Sequence, residues 1–291
     1  MRKIAPLLFL LCILVGCKKE KKTAPETPIL TVTIEPLRYF TEKIGGDNFE
    51  VVSMVPKGSS PETYDPTPQQ MVNLGKSTAY FKIGYIGFEQ VWMDKIAKNV
   101  PQMKVYDTSQ GVELIYEEGH YHGDHFHATG VEPHIWNSPK NAKIIAHNIY
   151  KALSELDTGN QAQYRDNYLA LCEEIDTTDS IVSSILAEGA DKVFMIYHPA
   201  LSYFARDYGL LQIPIEKDGK EPSAGYLKEL IEKSKAHQVR VVFIQPEFTF
   251  QNAKIIAQET GTQMISINPL DYDWHKEMVH IAKALHHEQD N

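Results

Sequence analysis

From Gln161 to Leu186 the chain runs without a single glycine or proline. Tyr164, Tyr168, Leu171, Ile175, Val182 and Ile185 recur there at mostly three- and four-residue steps, with Thr178 filling a gap. That spacing puts the apolar side chains on one face of a long amphipathic helix. A helix of this length near the middle of a chain suits a strut between two lobes, and it constrains everything on either side of it.

Both flanks alternate. Before the strut, short apolar runs at Ile29–Ile34, Phe49–Val55, Thr78–Ile83 and Met103–Tyr106 read as strands. Helix-like stretches follow at Leu37–Ile44, Gln69–Gly75 and Phe88–Ala97, and Ser138 is placed to cap a helix opening with Pro139. After the strut, strands are expected at Lys192–Tyr197, Leu210–Ile215, Val239–Ile244 and Gln263–Ile267. Helices are expected at Pro199–Tyr208, Ser223–His237, Phe250–Thr260 and Trp274–His287. Strand–helix alternation argues mostly parallel sheets covered by helices. The expected fold is α/β: two parallel-sheet (β/α) lobes, 29–158 and 189–291, joined by one connecting helix over 159–188. The ligand cleft should lie between the lobes, beyond the carboxyl ends of the strands.

The first residues are an address. Arg2 and Lys3 precede an apolar run from Ile4 to Val15, too short to span a bilayer, which takes about 20 residues. The run ends in Leu14-Val15-Gly16-Cys17, which resembles the lipobox of bacterial lipoproteins. That resemblance implies a signal peptide over 1–16, lipid on Cys17 and a cell-envelope, extracytoplasmic location. Residues 18–28 (KKEKKTAPETP) then read as a flexible tether.

Removing Arg2 and Lys3 leaves 27 basic against 38 acidic residues, a charge of 27 − 38 = −11. An acidic chain of this kind argues against nucleic acid as a partner. With Cys12 removed and Cys17 acylated, Cys172 remains as a lone thiol, so no disulfide framework is expected. Histidine, at 12 residues, is the chemically suggestive excess, because imidazole is the commonest metal ligand.

Four of these, His120, His122, His125 and His127, fall within Gly119–His127 beside Asp124. The glycines and lack of periodicity predict a loop, and its imidazoles suit divalent transition metals. His120-Tyr-His122-Gly-Asp124-His125 also spells H-x-H-x-D-H, which resembles the metal motif of metallo-β-lactamase-type hydrolases. In those enzymes the motif follows a buried strand directly and precedes a helix. Here Tyr116–Gly119 and Ala128–Gly130 flank it instead.

Three other donors sit beside prolines in loops at predicted strand ends: Glu62 in Gly58–Pro68, His134 in Val131–Pro139, and His198 in Tyr197–Phe204. Proline's fixed φ stiffens such loops. A carboxylate and two imidazoles from separate loops would make a three-ligand zinc site.

In order and spacing these loops resemble those of the metal-binding solute-receptor lipoproteins of zinc and manganese ABC importers. That family typically reads G-x-x-P-H-x-Y-E-P-x-P, D-P-H-x-W-x-S-P and H-x-A-x-x-Y-F. Gly219–Ser223, Val242–Pro246 and Glu259–Gly261 extend the resemblance over nearly the whole mature chain. It implies a receptor, not an enzyme, that captures Zn²⁺, with Mn²⁺ the lesser candidate. Its expected partners are an ABC permease and its ATPase, with the chain monomeric and membrane-bound through its lipid alone. The His-rich segment would be an auxiliary collector. Three departures stand out. Glu62 replaces the family's first histidine, and Asn268 replaces an aspartate that often serves as fourth ligand, leaving Asn268 or nearby Asp271 or Asp273 as substitutes. Gln245 stands where glutamate is common. The competing readings are a zinc hydrolase built on H-x-H-x-D-H, and a surface lipoprotein that buffers metal or serves adhesion.

Overall fold

A computed structural model describes residues 27–116, 120–122, 125–127, 130–217 and 219–286. The expected signal peptide, Cys17 and most of the expected tether lie outside the described residues. In chain order the elements are β1 (Ile29–Val32), α1 (Glu35–Gly45), β2 (Glu50–Ser53), α2 (Pro68–Leu74), β3 (Ser77–Lys82), α3 (Gly87–Asn99), β4 (Lys104–Asp107), β5 (His120–His122) and β6 (His125–His127). There follow α4 (Pro139–Leu156), α5 (Gln161–Ala187), β7 (Val193–Ile196), α6 (Ser202–Tyr208), β8 (Leu211–Pro214), α7 (Ala224–Ala236), β9 (Val241–Ile244), α8 (Gln251–Thr260), β10 (Gln263–Ser266) and α9 (Trp274–Leu285).

The two lobes repeat one topology. The first sheet runs β2-β1-β3-β4 and the second β10-β9-β7-β8, all neighbours parallel. In each lobe the chain steps from its first strand to one side, then returns to pair on the other. This leaves a crevice between β1 and β3, and another between β7 and β9, at the carboxyl ends where such sheets take ligands.

Local chemistry sets the helix starts. Thr67 and Gln70 form a reciprocal capping box ahead of Pro68, and the hydroxyls of Ser138 and Ser223 accept from the amides of Asn141 and Tyr226. The strut is α5, with Tyr164, Leu171, Ile175, Thr178, Val182 and Leu186 buried along one face. α6 begins at Ser202, later than its sequence pattern suggests, because His198 to Leu201 are spent on a turn in which the Ala200 amide donates to the His198 carbonyl.

The lobes are not loosely hinged. One continuous apolar core takes in Leu30, Phe81 and Ile145 on one side and Phe194, Phe243 and Ile281 on the other, joined through Tyr164, Ile175 and Val182 of the strut. Two buried indoles cross the seam in opposite directions: Trp136 Nε1 donates to the Pro269 carbonyl at 2.8 Å, and Trp274 Nε1 donates to the Trp136 carbonyl at 2.8 Å. The Phe40 and Trp274 rings meet edge-on at 5.3 Å.

The His-rich segment departs from the expected loop. β5 and β6 pair antiparallel, His120 opposite His127 and His122 opposite His125. A pair so short has little period for a sequence pattern to display. No helix among the described residues is long and apolar enough to cross a membrane.

Candidate metal centre

The loops leaving the strands at their carboxyl ends meet between the lobes. There they enclose a cavity of about 20 Å³, lined by Glu62, His134, His198, Gln245 and Glu247 with Trp136, Phe248 and Pro269 among the walls. Such a volume takes roughly one water molecule, or one ion, and no larger solute.

The two imidazoles come from opposite lobes, and their Nε2 atoms stand 3.1 Å apart. Each is oriented from behind. His134 Nδ1 lies 2.6 Å from Oε1 of Glu132, and His198 Nδ1 lies 2.7 Å from Oε1 of Glu216. Both carboxylates are buried. An Nδ1–H held by a carboxylate fixes the tautomer and presents a bare Nε2 lone pair, as in carboxylate–histidine–metal triads. Burial alone would raise the Glu132 carboxyl. The charge of His134, with hydrogen bonds from His134 and Ser202, outweighs it and holds that carboxyl below its ordinary value.

Gln245 explains its own departure from glutamate. Its Oε1 accepts from the His198 amide at 3.1 Å while its Nε2 donates to the His198 carbonyl at 2.8 Å. An amide serves both backbone groups; a carboxylate has no proton to donate. The clamp spans the crevice between β7 and β9, and Phe248 stacks on the His198 ring at 4.9 Å.

Glu62 is held at the start of α3, where the Gly87 amide donates to its Oε2 at 3.0 Å. A helix N-terminus favours negative charge. Gly87 is also a steric requirement, since a Cβ there would collide with the Glu62 carbonyl. The other oxygen, Glu62 Oε1, is buried without a hydrogen-bond partner, as is Oε1 of Glu247. Burial raises the Glu247 carboxyl, with its own amide and the charge of His198 pulling it partly back. Among the described residues no three His, Cys, Asp or Glu side chains already converge on one point.

Residues 30–287 match the profile of the family described as zinc-uptake complex component A, periplasmic. The chain belongs to this family. Its members are solute receptors, not enzymes.

Among individual relatives of this chain, the zinc-binding lipoprotein AdcA of Streptococcus pneumoniae strain R6 is 27% identical over 286 residues, covering 93% of this chain and 56% of that protein. The chain therefore spans just over half the length of that relative. The high-affinity zinc uptake system protein ZnuA of Bacillus subtilis is 27% identical over 251 residues, covering 83% of this chain and 78% of that protein. A crystal structure of ZnuA superimposes with a TM-score of 0.84 at 37% identity, covering 90% of this chain and 99% of that one. A zinc-bound ZnuA deletion mutant gives 0.83 at 37% identity, covering 91% and 99%.

The geometry also sorts the sequence candidates. Glu62, His134 and His198 do line one cavity. Asn268 and Asp271 do not reach it. The Asn268 amide nitrogen donates to Asp271 Oδ2 at 2.9 Å and its oxygen accepts from the Leu270 amide, so the pair closes a local turn. Asn268 instead lines a separate depression with Glu35 and Lys57. Asp273 caps α9 through the Lys276 amide. The side chains of His120, His122, His125 and His127 lie outside the described residues, as does Asp124. The hydrolase alternative fails on family membership, and the described residues of H-x-H-x-D-H lie on two short antiparallel strands rather than between a buried strand and a helix. Sequence reasoning missed Glu132, Glu216 and Glu247. Glu132 had a signal in its place two residues before His134, and Glu247 in its place just beyond a strand end.

Proposed function

We propose that this chain is an extracytoplasmic receptor that captures Zn²⁺ between its lobes and delivers it to an ABC permease driven by its ATPase. Glu62, His134 and His198 are its primary ligands. The observation that carries this reading is the facing pair of Nε2 atoms, contributed by different lobes, each backed by a buried carboxylate, at a cavity of single-ion size. Two imidazole nitrogens select zinc over magnesium and calcium, which take oxygen shells. The zinc named in the ZnuA and AdcA relatives supports the same cargo, and relatives named for manganese keep Mn²⁺ as the competitor to test.

In this reading 29–158 and 189–291 form the lobes and 159–188 the connector. Cys17 carries the lipid that tethers a monomer to the membrane, and the His-rich hairpin is an auxiliary, weaker metal collector. Calorimetry on chelator-stripped protein should show one tight zinc site, lost in His134→Ala and in His198→Ala. If both variants kept full affinity, the cavity would not be the site. Deleting residues 120–127 should remove weak sites alone. Cys17→Ala should shift the protein from the membrane to the soluble fraction.

A further inference from the structure

We propose that Glu247 is a fourth metal ligand, so that the closed site has two imidazoles and two carboxylates, one carboxylate from each lobe. The inference rests on the reading of the Glu62, His134 and His198 cavity as the metal site.

Three observations lead to it. First, Glu247 lines the same small cavity as the three primary donors. Second, its Oε1 is buried with no hydrogen-bond partner, and in this cavity the matching unpartnered atom is Oε1 of Glu62. The large majority of buried polar atoms in folded proteins are satisfied, and an orphaned one calls for an explanation such as an ion. Two orphaned carboxylate oxygens at one ion-sized cavity, beside two bare imidazole nitrogens, share one explanation. Third, the segment is built to present this residue. Gln245 turns inward and is consumed by the His198 backbone, Pro246 stiffens the turn out of β9, and Phe248 packs on the His198 ring, which leaves Glu247 between two fixed neighbours.

The charge balance is favourable. Two carboxylates and two neutral imidazoles carry two negative charges, which cancel those of a dication. The donor set also has a selectivity consequence, because carboxylates suit manganese and imidazoles suit zinc. A second carboxylate therefore broadens the receptor toward Mn²⁺, and losing it should narrow the choice to zinc.

The test uses the mature chain, stripped of metal, with Zn²⁺ and Mn²⁺ titrated separately into wild type, Glu247→Gln, Glu247→Ala and His134→Ala. Both Glu247 variants should lose at least about tenfold in zinc affinity, the lower end of what even an outer partner's loss costs. They should lose more for manganese, so that the Zn/Mn preference rises. X-ray absorption on the zinc-loaded Glu247→Ala protein should show one oxygen fewer in the first shell with both imidazoles kept. An unchanged first shell in that variant would overturn the assignment even if affinity fell, since the residue would then act through charge alone. Unchanged affinity for both metals would overturn it as well. If His134→Ala also kept its affinity, the failure would belong to the cavity reading rather than to Glu247.

Discussion

His134 and His198 face each other across the lobes with Nε2 atoms 3.1 Å apart, and each has its Nδ1 directed at a buried glutamate. With a proton on each Nδ1, two lone pairs would point at one another. The pair is relieved by a shared proton or by a cation, so metal and proton compete for one place. Zinc capture should therefore release protons, seen as a calorimetric enthalpy that changes with the buffer's ionisation heat, and affinity should fall as the pH is lowered. A binding enthalpy independent of buffer would contradict this.

Replacing Glu132 by glutamine keeps an acceptor for His134 Nδ1 but removes the negative charge behind it. Loss of such an outer partner typically costs about 10–100-fold in metal affinity. The same range is expected for Glu132→Gln, read by competition with a chelator of known zinc affinity. A variant with wild-type affinity would show that the carboxylate only positions the ring.

Gly87→Ala tests the seat of Glu62. The added methyl would strike the Glu62 carbonyl and stand 2.9 Å from its Oε2, so the 60–64 segment must move. Zinc affinity should drop while the circular dichroism spectrum stays that of an α/β protein. Normal affinity would mean that Glu62 reaches the ion without this seat.

Gln245→Glu converts a two-way clamp on the His198 backbone into an acceptor only. The His198 carbonyl then loses its donor, a loss of about 1–3 kcal/mol for a buried group. Urea unfolding should show that destabilisation. Gln245→Ala should show a similar one, so a stabilised Gln245→Glu would refute the clamp.

Away from the metal site, Glu89 is a buried carboxyl pushed up to about 7, because burial outweighs the hydrogen bonds it accepts from Thr33, Ile83 and Gly84. Its folded pKa lies above its unfolded value, so between about pH 4.5 and 7 the folded state binds more protons. The stability it contributes is complete below the unfolded value and is lost as pH rises through about 7, on the order of 3 kcal/mol. Unfolding midpoints at pH 5 and pH 8 should show this slope in wild type and not in Glu89→Gln. An equal slope in both would place the titration elsewhere.

Much of this architecture was legible in the sequence. α5 was readable because its apolar stripe persists over many turns, and the parallel strands because short apolar runs alternate with helices. That Glu62, His134 and His198 would come to line one cavity was readable because prolines mark their loops. The paired strands at 120–122 and 125–127 were not, since so few paired residues carry no period. Asn268 and Asp271 misled because spacing reports position along the chain and not where a side chain points; theirs close a turn on each other. Glu216 was hidden because its partner, His198, arrives from another strand.

The crossed indoles of Trp136 and Trp274 tie the lobes within two residues of His134, inside one shared core. A body stitched in this way has no jaws to open. If it is the receptor proposed above, loading would change its outline little, and a membrane partner would have to tell full from empty by the charge and texture of the few loops around the cavity mouth. On that reading the rim would set the discrimination between loaded and empty states, and a variant altered there could bind its ion normally and still go unread.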